Sequence, residues 1–127
     1  MRKNEASQSP LNEIGKVYHR PWGFYQTLAM ADGYQVKIIT VNPGGRLSLQ
    51  KHFKRKEHWV VVKGSPSITI GEQVHVYHVN DAVFIDLEMP HRLENFSDEP
   101  AVIIETQLGG YLGEDDIVRL DDVYSRS

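Results

Sequence analysis

The sequence predicts an all-β fold, a double-sheet jelly roll, on three observations. Short runs rich in Val, Ile, Thr and Tyr alternate with Gly, Pro, Asn and Asp, nothing before residue 113 keeps a helical period, and turn-forming clusters separate the runs. Many short strands without intervening helices build sandwiches or barrels, and a double-sheet jelly roll hides most of its edges. Tyr34 to Val41 ends at Asn42-Pro43-Gly44-Gly45, and Arg46 to Lys51 follows. His58 to Lys63 ends at Gly64-Ser65-Pro66, Ser67 to Ile70 at Gly71-Glu72, and Gln73 to Val79 at Asn80-Asp81. Ala82 to Ile85 and Ala101 to Leu108 complete the series. Each turn cluster predicts a hairpin-like antiparallel connection. Only Glu114 to Leu120 is expected to make a helical turn.

The chain has 127 residues, which fits one domain. Residues 1–16 are polar, with Ser7, Ser9 and Pro10 breaking periodicity, and read as an arm that is ordered only where it packs on something. Residues 17–127 form the expected domain. With no cysteine, disulfides and thiolate sites are excluded, and His, Asp, Glu and Gln remain as metal donors. A net charge of −3, with both signs mixed along the chain, gives no basic field for nucleic acid. No apolar run approaches the ~20 residues that span a bilayer, and residues 1–12 lack the apolar core of a signal peptide, so a cytoplasmic location and no membrane partner are expected. Val60-Val61-Val62 suggests a strand covered on both sides, by a second sheet or by a partner in a homodimer.

Polar chemistry concentrates in Gln50-Lys51-His52-Phe53-Lys54-Arg55-Lys56-Glu57-His58-Trp59. Strand alternation puts Ser48, Gln50, His52 and Lys54 on one face, and Leu47, Leu49 and Phe53 on the other. If a strand from Glu57 pairs alongside, an imidazole, an amide oxygen and a carboxylate meet, which suits a divalent metal. About one hairpin later comes Pro90-His91-Arg92-Leu93-Glu94-Asn95, with His91 and Leu93 on one face and Arg92 and Glu94 on the other. His91 is the natural fourth ligand. A single strand histidine is more often a hydrogen-bonded structural residue. His19, His75 and His78 match no ligand spacing, and His58 points away from Glu57, so these read as surface or structural. Trp22 and Trp59 read as core or interface aromatics.

Four ordered stretches resemble the cupin half of the type II mannose-6-phosphate isomerase family. They are Arg20-Pro21-Trp22-Gly23, the segment from Gly45 through Gln50-x-His52 and Arg55-x-Glu57-His58-Trp59 to Gly64, His91-Arg92-Leu93-Glu94-Asn95, and Gly110 to Arg119. The resemblance implies a double-stranded β-helix, the cupin jelly-roll barrel. It also implies a metal-assisted aldose–ketose isomerase acting on mannose 6-phosphate or a close analogue. The nucleotidyltransferase domain of larger members has no counterpart here. The metal set it implies is Gln50, His52, Glu57 and His91, with zinc the first choice.

Two departures stand out. His52-x-Lys54 replaces the family's His-x-His, and a protonated lysine offers no lone pair, so Lys54 either costs the site a ligand or puts its ammonium where the metal belongs. Ile85-Asp86-Leu87-Glu88-Met89-Pro90-His91 also lacks the family's Pro-x-Gly turn. Isomerisation through an enediol needs a group to move a proton between C1 and C2, and a cation for the oxyanion. Lys54, Arg92 and Arg55 are candidates for the cation, and His91, if not a ligand, or Glu94 for the base. Arg20, Arg46 and Arg55 are candidates for holding the sugar phosphate, although surface ion pairing accounts for arginines equally well. A non-catalytic carbohydrate or sugar-nucleotide binding cupin is the alternative.

Overall fold

The computed structural model describes residues 10–124. Residues 1–9 of the expected arm, and 125–127, lie outside them. Eleven strands form two antiparallel sheets, and no helix occurs among the described residues, so none could cross a membrane. The six-stranded sheet has the order β1 (Val17–Arg20), β2 (Gly23–Ala31), β3 (Tyr34–Val41), β10 (Ala101–Gly109), β5 (Arg55–Lys63), β8 (Ala82–Ile85). The five-stranded sheet has the order β11 (Val118–Asp121), β4 (Leu49–Lys51), β9 (His91–Glu94), β6 (Ser67–Ile70), β7 (Gln73–Val76). The fold is the expected all-β double-sheet barrel.

Three of the four expected hairpins are instead crossings between sheets. Asn42-Pro43-Gly44-Gly45 carries the chain from β3 to β4, Gly64-Ser65-Pro66 from β5 to β6, and Asn80-Asp81 from β7 to β8, each leaving one sheet for the other. Only Gly71-Glu72 closes a hairpin, β6–β7. Turn residues specify that the chain reverses, but not which sheet receives it. Gly64 is required at its crossing: its φ is 79°, and a Cβ there would stand 2.6 Å from the carbonyl oxygen of Pro100. The expected helical turn is replaced by an irregular loop and by β11, which pairs with β4.

The inner face of the larger sheet is layered. Cross-strand partners Ile39, Ile103 and Val61 form an apolar row. The next row is Lys37, Glu105 and Trp59, and the next Gln35, Gln107 and Glu57. One end of the barrel is therefore a core, where Trp22, Tyr25, Ile68, Ile85 and Leu93 join the apolar row. The other end is polar and buried. Val61 faces the core at 1% exposure, whereas Val60 and Val62 face outward at 38% and 43%, so this chain covers β5 on one side only.

The described part of the arm packs on the barrel. Ile14 bridges to Thr27, Gly15 N donates to Thr27 O, and Asn12 Nδ2 donates to Gln35 Oε1 and Glu114 Oε2. Tyr25 donates its hydroxyl to Asn12 Oδ1, and Glu114 N donates to Pro10 O.

Candidate functional site

A pocket opens at the polar end of the barrel. His52 follows β4, Glu57 comes from β5 and His91 opens β9, so both sheets contribute. Glu57 reaches the histidines across the barrel interior, since β4 and β5 belong to different sheets. His52 Nε2 lies 3.4 Å from Glu57 Oε2, and His91 Nε2 lies 3.9 Å from Glu57 Oε1. Ligand atoms from all three lie within 4.8 Å of one another, and all three side chains are buried. Gln50 pairs directly with His91 across β4 and β9 and lines the same pocket.

The tautomers suit a metal. His52 Nδ1–H donates to Asp116 O at 2.6 Å and His91 Nδ1–H donates to Met89 O at 2.9 Å, leaving each Nε2 with a lone pair on the Glu57 side. Burial, reinforced by the charge of Arg55, pushes His52 down to about 3, so its ring is neutral at physiological pH. Neutral imidazoles and a carboxylate are the donor forms that bind divalent ions. Asp116 also accepts the backbone N–H groups of Phe53 and Lys54 on its two carboxylate oxygens, fastening the 110–117 loop to the ligand-bearing segment.

Two carboxyl groups are hydrogen-bonded beneath the ligands. Burial pushes Glu105 up to about 7, aided by the Glu57 charge and the hydrogen bond between them. Burial acts the same way on Glu57, but the bond from Glu105 and the charges of Arg55 and His91 outweigh it and hold that carboxyl low. Of the coupled pair, Glu105 is the carboxyl that holds its proton longer as pH rises. Trp59 Nε1 donates to both, at 2.9 Å to Glu57 Oε1 and 3.3 Å to Glu105 Oε2. Lys37 Nζ bonds Glu114 Oε2 at 2.8 Å and lies 4.3 Å from the centre of the Tyr25 ring. Although burial opposes it, Lys37 and Arg55 hold the Glu114 carboxyl below its ordinary value.

A family described as mannose-6-phosphate isomerase C-terminal matches residues 7–122. The chain belongs to this family. The xanthan biosynthesis protein XanB of Xanthomonas campestris pv. campestris is 51% identical over 122 residues, covering 96% of this chain and 26% of that protein. The alginate biosynthesis protein AlgA of Pseudomonas aeruginosa is 49% identical over 109 residues, covering 86% of this chain and 23% of that protein. The chain thus spans about a quarter of the length of these relatives. A solved cupin-2 domain from Rhodospirillum rubrum aligns with a TM-score of 0.64 at 20% identity, over 73% of this chain and 67% of that one, a likeness of fold.

Of the residues singled out from the family motifs, Gln50, His52, Glu57, His91, Arg55 and Arg20 line the pocket. Lys54 does not. The chain bends at Phe53 and Lys54, which ends the alternation from β4 and turns Lys54 outward, its Nζ 4.9 Å from the Tyr111 ring centre. Lys54 therefore neither shares the pocket with His52 nor fills the cation position; Arg55 stands there, its Nε 2.7 Å from Glu57 Oε2. Arg92 and Glu94 alternate with His91 and Leu93, and so lie on the other face of β9, away from the pocket. Arg92 binds Leu47 O and Asp121, and Glu94 accepts Arg46 Nε at 2.6 Å, so Arg46 is also spent outside. His19, His58, His75 and His78 are exposed, as expected.

Lys37 and Glu105 line the pocket outside every motif stretch, while Glu114, with Asp116 behind His52, lies in the Gly110 to Arg119 stretch without a role assigned to it. A signal for the first two exists in the sequence. Lys37 stands between Gln35 and Ile39, and Glu105 between Ile103 and Gln107, at two-residue spacing, so both have the parity of buried positions.

Proposed function

We propose that the chain is a cupin sugar-phosphate isomerase, interconverting mannose 6-phosphate and fructose 6-phosphate or a close analogue, with His52, Glu57 and His91 holding a divalent metal and Gln50 beside them. The observation that carries this reading is the convergence of donor atoms from His52, Glu57 and His91 within 4.8 Å in a buried pocket, with the Glu105 carboxyl hydrogen-bonded to Glu57 beneath them. An enediol route needs both a proton carrier poised near neutrality and a cation beside the oxygens of C1 and C2. The metal, zinc in first place for two imidazoles and a carboxylate, supplies the Lewis acid. Ionised Glu105 takes the proton from C2 and, as the resulting acid, returns it to C1. The cations lining the pocket, among them Arg20, Lys37 and Arg119, orient the phosphate. The names of the relatives, xanthan and alginate biosynthesis proteins, support a role in supplying sugar phosphate for polysaccharide. The rival reading, a binding cupin with a lapsed site, rests on Lys54 as a lost ligand and on the missing Pro-x-Gly turn; against it, His91 still stands 3.9 Å from Glu57 and three donors converge without Lys54.

The test is a coupled assay for fructose 6-phosphate formed from mannose 6-phosphate with Zn²⁺, Co²⁺, Mn²⁺ or Mg²⁺, and with EDTA as control. Metal-dependent turnover, abolished in His52→Ala, is the expected result. Folded protein that turns over nothing with any of these metals defeats the isomerase reading.

We further propose that the chain forms a homodimer through the outer face of its larger sheet. Ile38, Ile104 and Val60 form one uncharged cross-strand row there, with Val62 and Phe84 exposed close by. An uncharged row whose centre is apolar meets its own copy about a two-fold axis without burying charge. Light scattering is expected to give twice the chain mass, and Val60→Asp to halve it. A wild-type protein that scatters as a single chain at assay concentration removes the interface.

A further inference from the structure

Arg55 is only 5% exposed and stands at the centre of the pocket. Its Nε donates to Glu57 Oε2 at 2.7 Å, and its Nη2 donates to His52 Nε2 at 3.2 Å. Those two acceptors, 3.4 Å apart, carry lone pairs that the ligand cluster offers a cation. A zinc ion on both atoms sits about 2.0–2.2 Å from each, closer than either donor nitrogen now stands. Metal and guanidinium therefore exclude each other from this pair. The other Glu57 oxygen is engaged by Trp59. A second berth is at hand: Arg55 Nη1 makes no hydrogen bond and lies 3.8 Å from Glu114 Oε2, on the 110–117 loop.

We infer that Arg55 is a placeholder cation, which neutralises Glu57 and engages His52 while the metal is absent and withdraws toward Glu114 when a divalent metal takes the two lone pairs. The inference rests on reading His52, Glu57 and His91 as the metal site. Its physical basis is the cost of a buried carboxylate without a counter-charge. The guanidinium removes that cost in the metal-free protein, and its detachment is subtracted from the affinity for metal.

Zn²⁺ titrations against a chromophoric chelator, on wild type and Arg55→Met, test this alongside unfolding midpoints in EDTA. Arg55→Met is expected to bind zinc about 10- to 100-fold more tightly, from two charge-assisted hydrogen bonds that no longer need breaking, while its metal-free midpoint falls. A residue that merely braces the fold would weaken both. If folded Arg55→Met binds zinc no more tightly than a wild type that does bind it, the inference is overturned and the metal site stands. If neither protein binds zinc, the metal reading itself fails and takes the inference with it. Should Arg55→Met not fold, crystals of wild type grown with zinc decide. A guanidinium out of hydrogen-bond reach of Glu57 Oε2 and His52 Nε2 supports the inference, and one still bonded to both with zinc in the pocket overturns it.

Discussion

Glu105→Gln is expected to lower kcat for isomerisation by about 10²- to 10⁴-fold, the usual worth of a positioned proton carrier, while leaving zinc affinity and KM little changed. The amide keeps the volume, can still donate to Glu57, and still presents an oxygen to Trp59, so packing and hydrogen bonding survive; only the proton is lost. A variant within about threefold of wild type removes Glu105 from the chemistry. The same substitution carries a pH signature in metal-free protein. Glu105 ionises near 4.5 in the unfolded chain but holds its proton to about 7 when folded. Between those values the unfolded state binds fewer protons, so stability falls as pH rises and levels off above 7. Glutamine has no such dependence. The midpoint of Glu105→Gln minus that of wild type, read in EDTA, should therefore climb from pH 4.5 to 7 and then stay flat. A difference that is constant with pH denies the raised carboxyl.

Glu57→Met and Arg55→Met are each expected to cost about 3–5 kcal/mol in urea unfolding with EDTA present, and the double replacement far less than the sum. Each single change takes the 2.7 Å partner from a charge where Glu57 is 1% and Arg55 5% exposed, and the nearest alternative for Arg55, Glu114 Oε2, stands 3.8 Å away. Removing both replaces an ion pair by apolar volume, which is often neutral or better. Against a total stability of about 5–15 kcal/mol, either single change is severe. Additive losses in the double mutant would mean that the 2.7 Å contact contributes no coupling.

The strands with dense β-branched residues were legible: Ser67 to Ile70 and Ala82 to Ile85 match β6 and β8. β2 was not read as a strand because Leu28-Ala29-Met30-Ala31 is poor in strand-forming residues, and pairing with β3 supplies what composition does not. β11 was hidden for the same reason, its extended state coming from β4. That His52, Glu57 and His91 could converge was legible because motif spacing placed them. The roles given to Arg92 and Glu94 ran against their own strand alternation, and the bend that turns Lys54 outward leaves no mark that spacing could reveal. Glu105 and Lys37 lie in strands that carry no motif, and they become significant only when β3, β10 and β5 are laid side by side.

The layered interior also decides what heat-resistance selection would do to this barrel. The apolar row of Ile39, Ile103 and Val61 draws Trp59 from the row above it into the core. The upper rows hold Lys37, Glu105 and Gln107, whose Nε2 is buried without a hydrogen-bond partner. Selected for endurance alone, without regard to turnover, the barrel gains most by trading those side chains for aliphatic ones. The sturdiest descendants would fold faultlessly and be chemically silent.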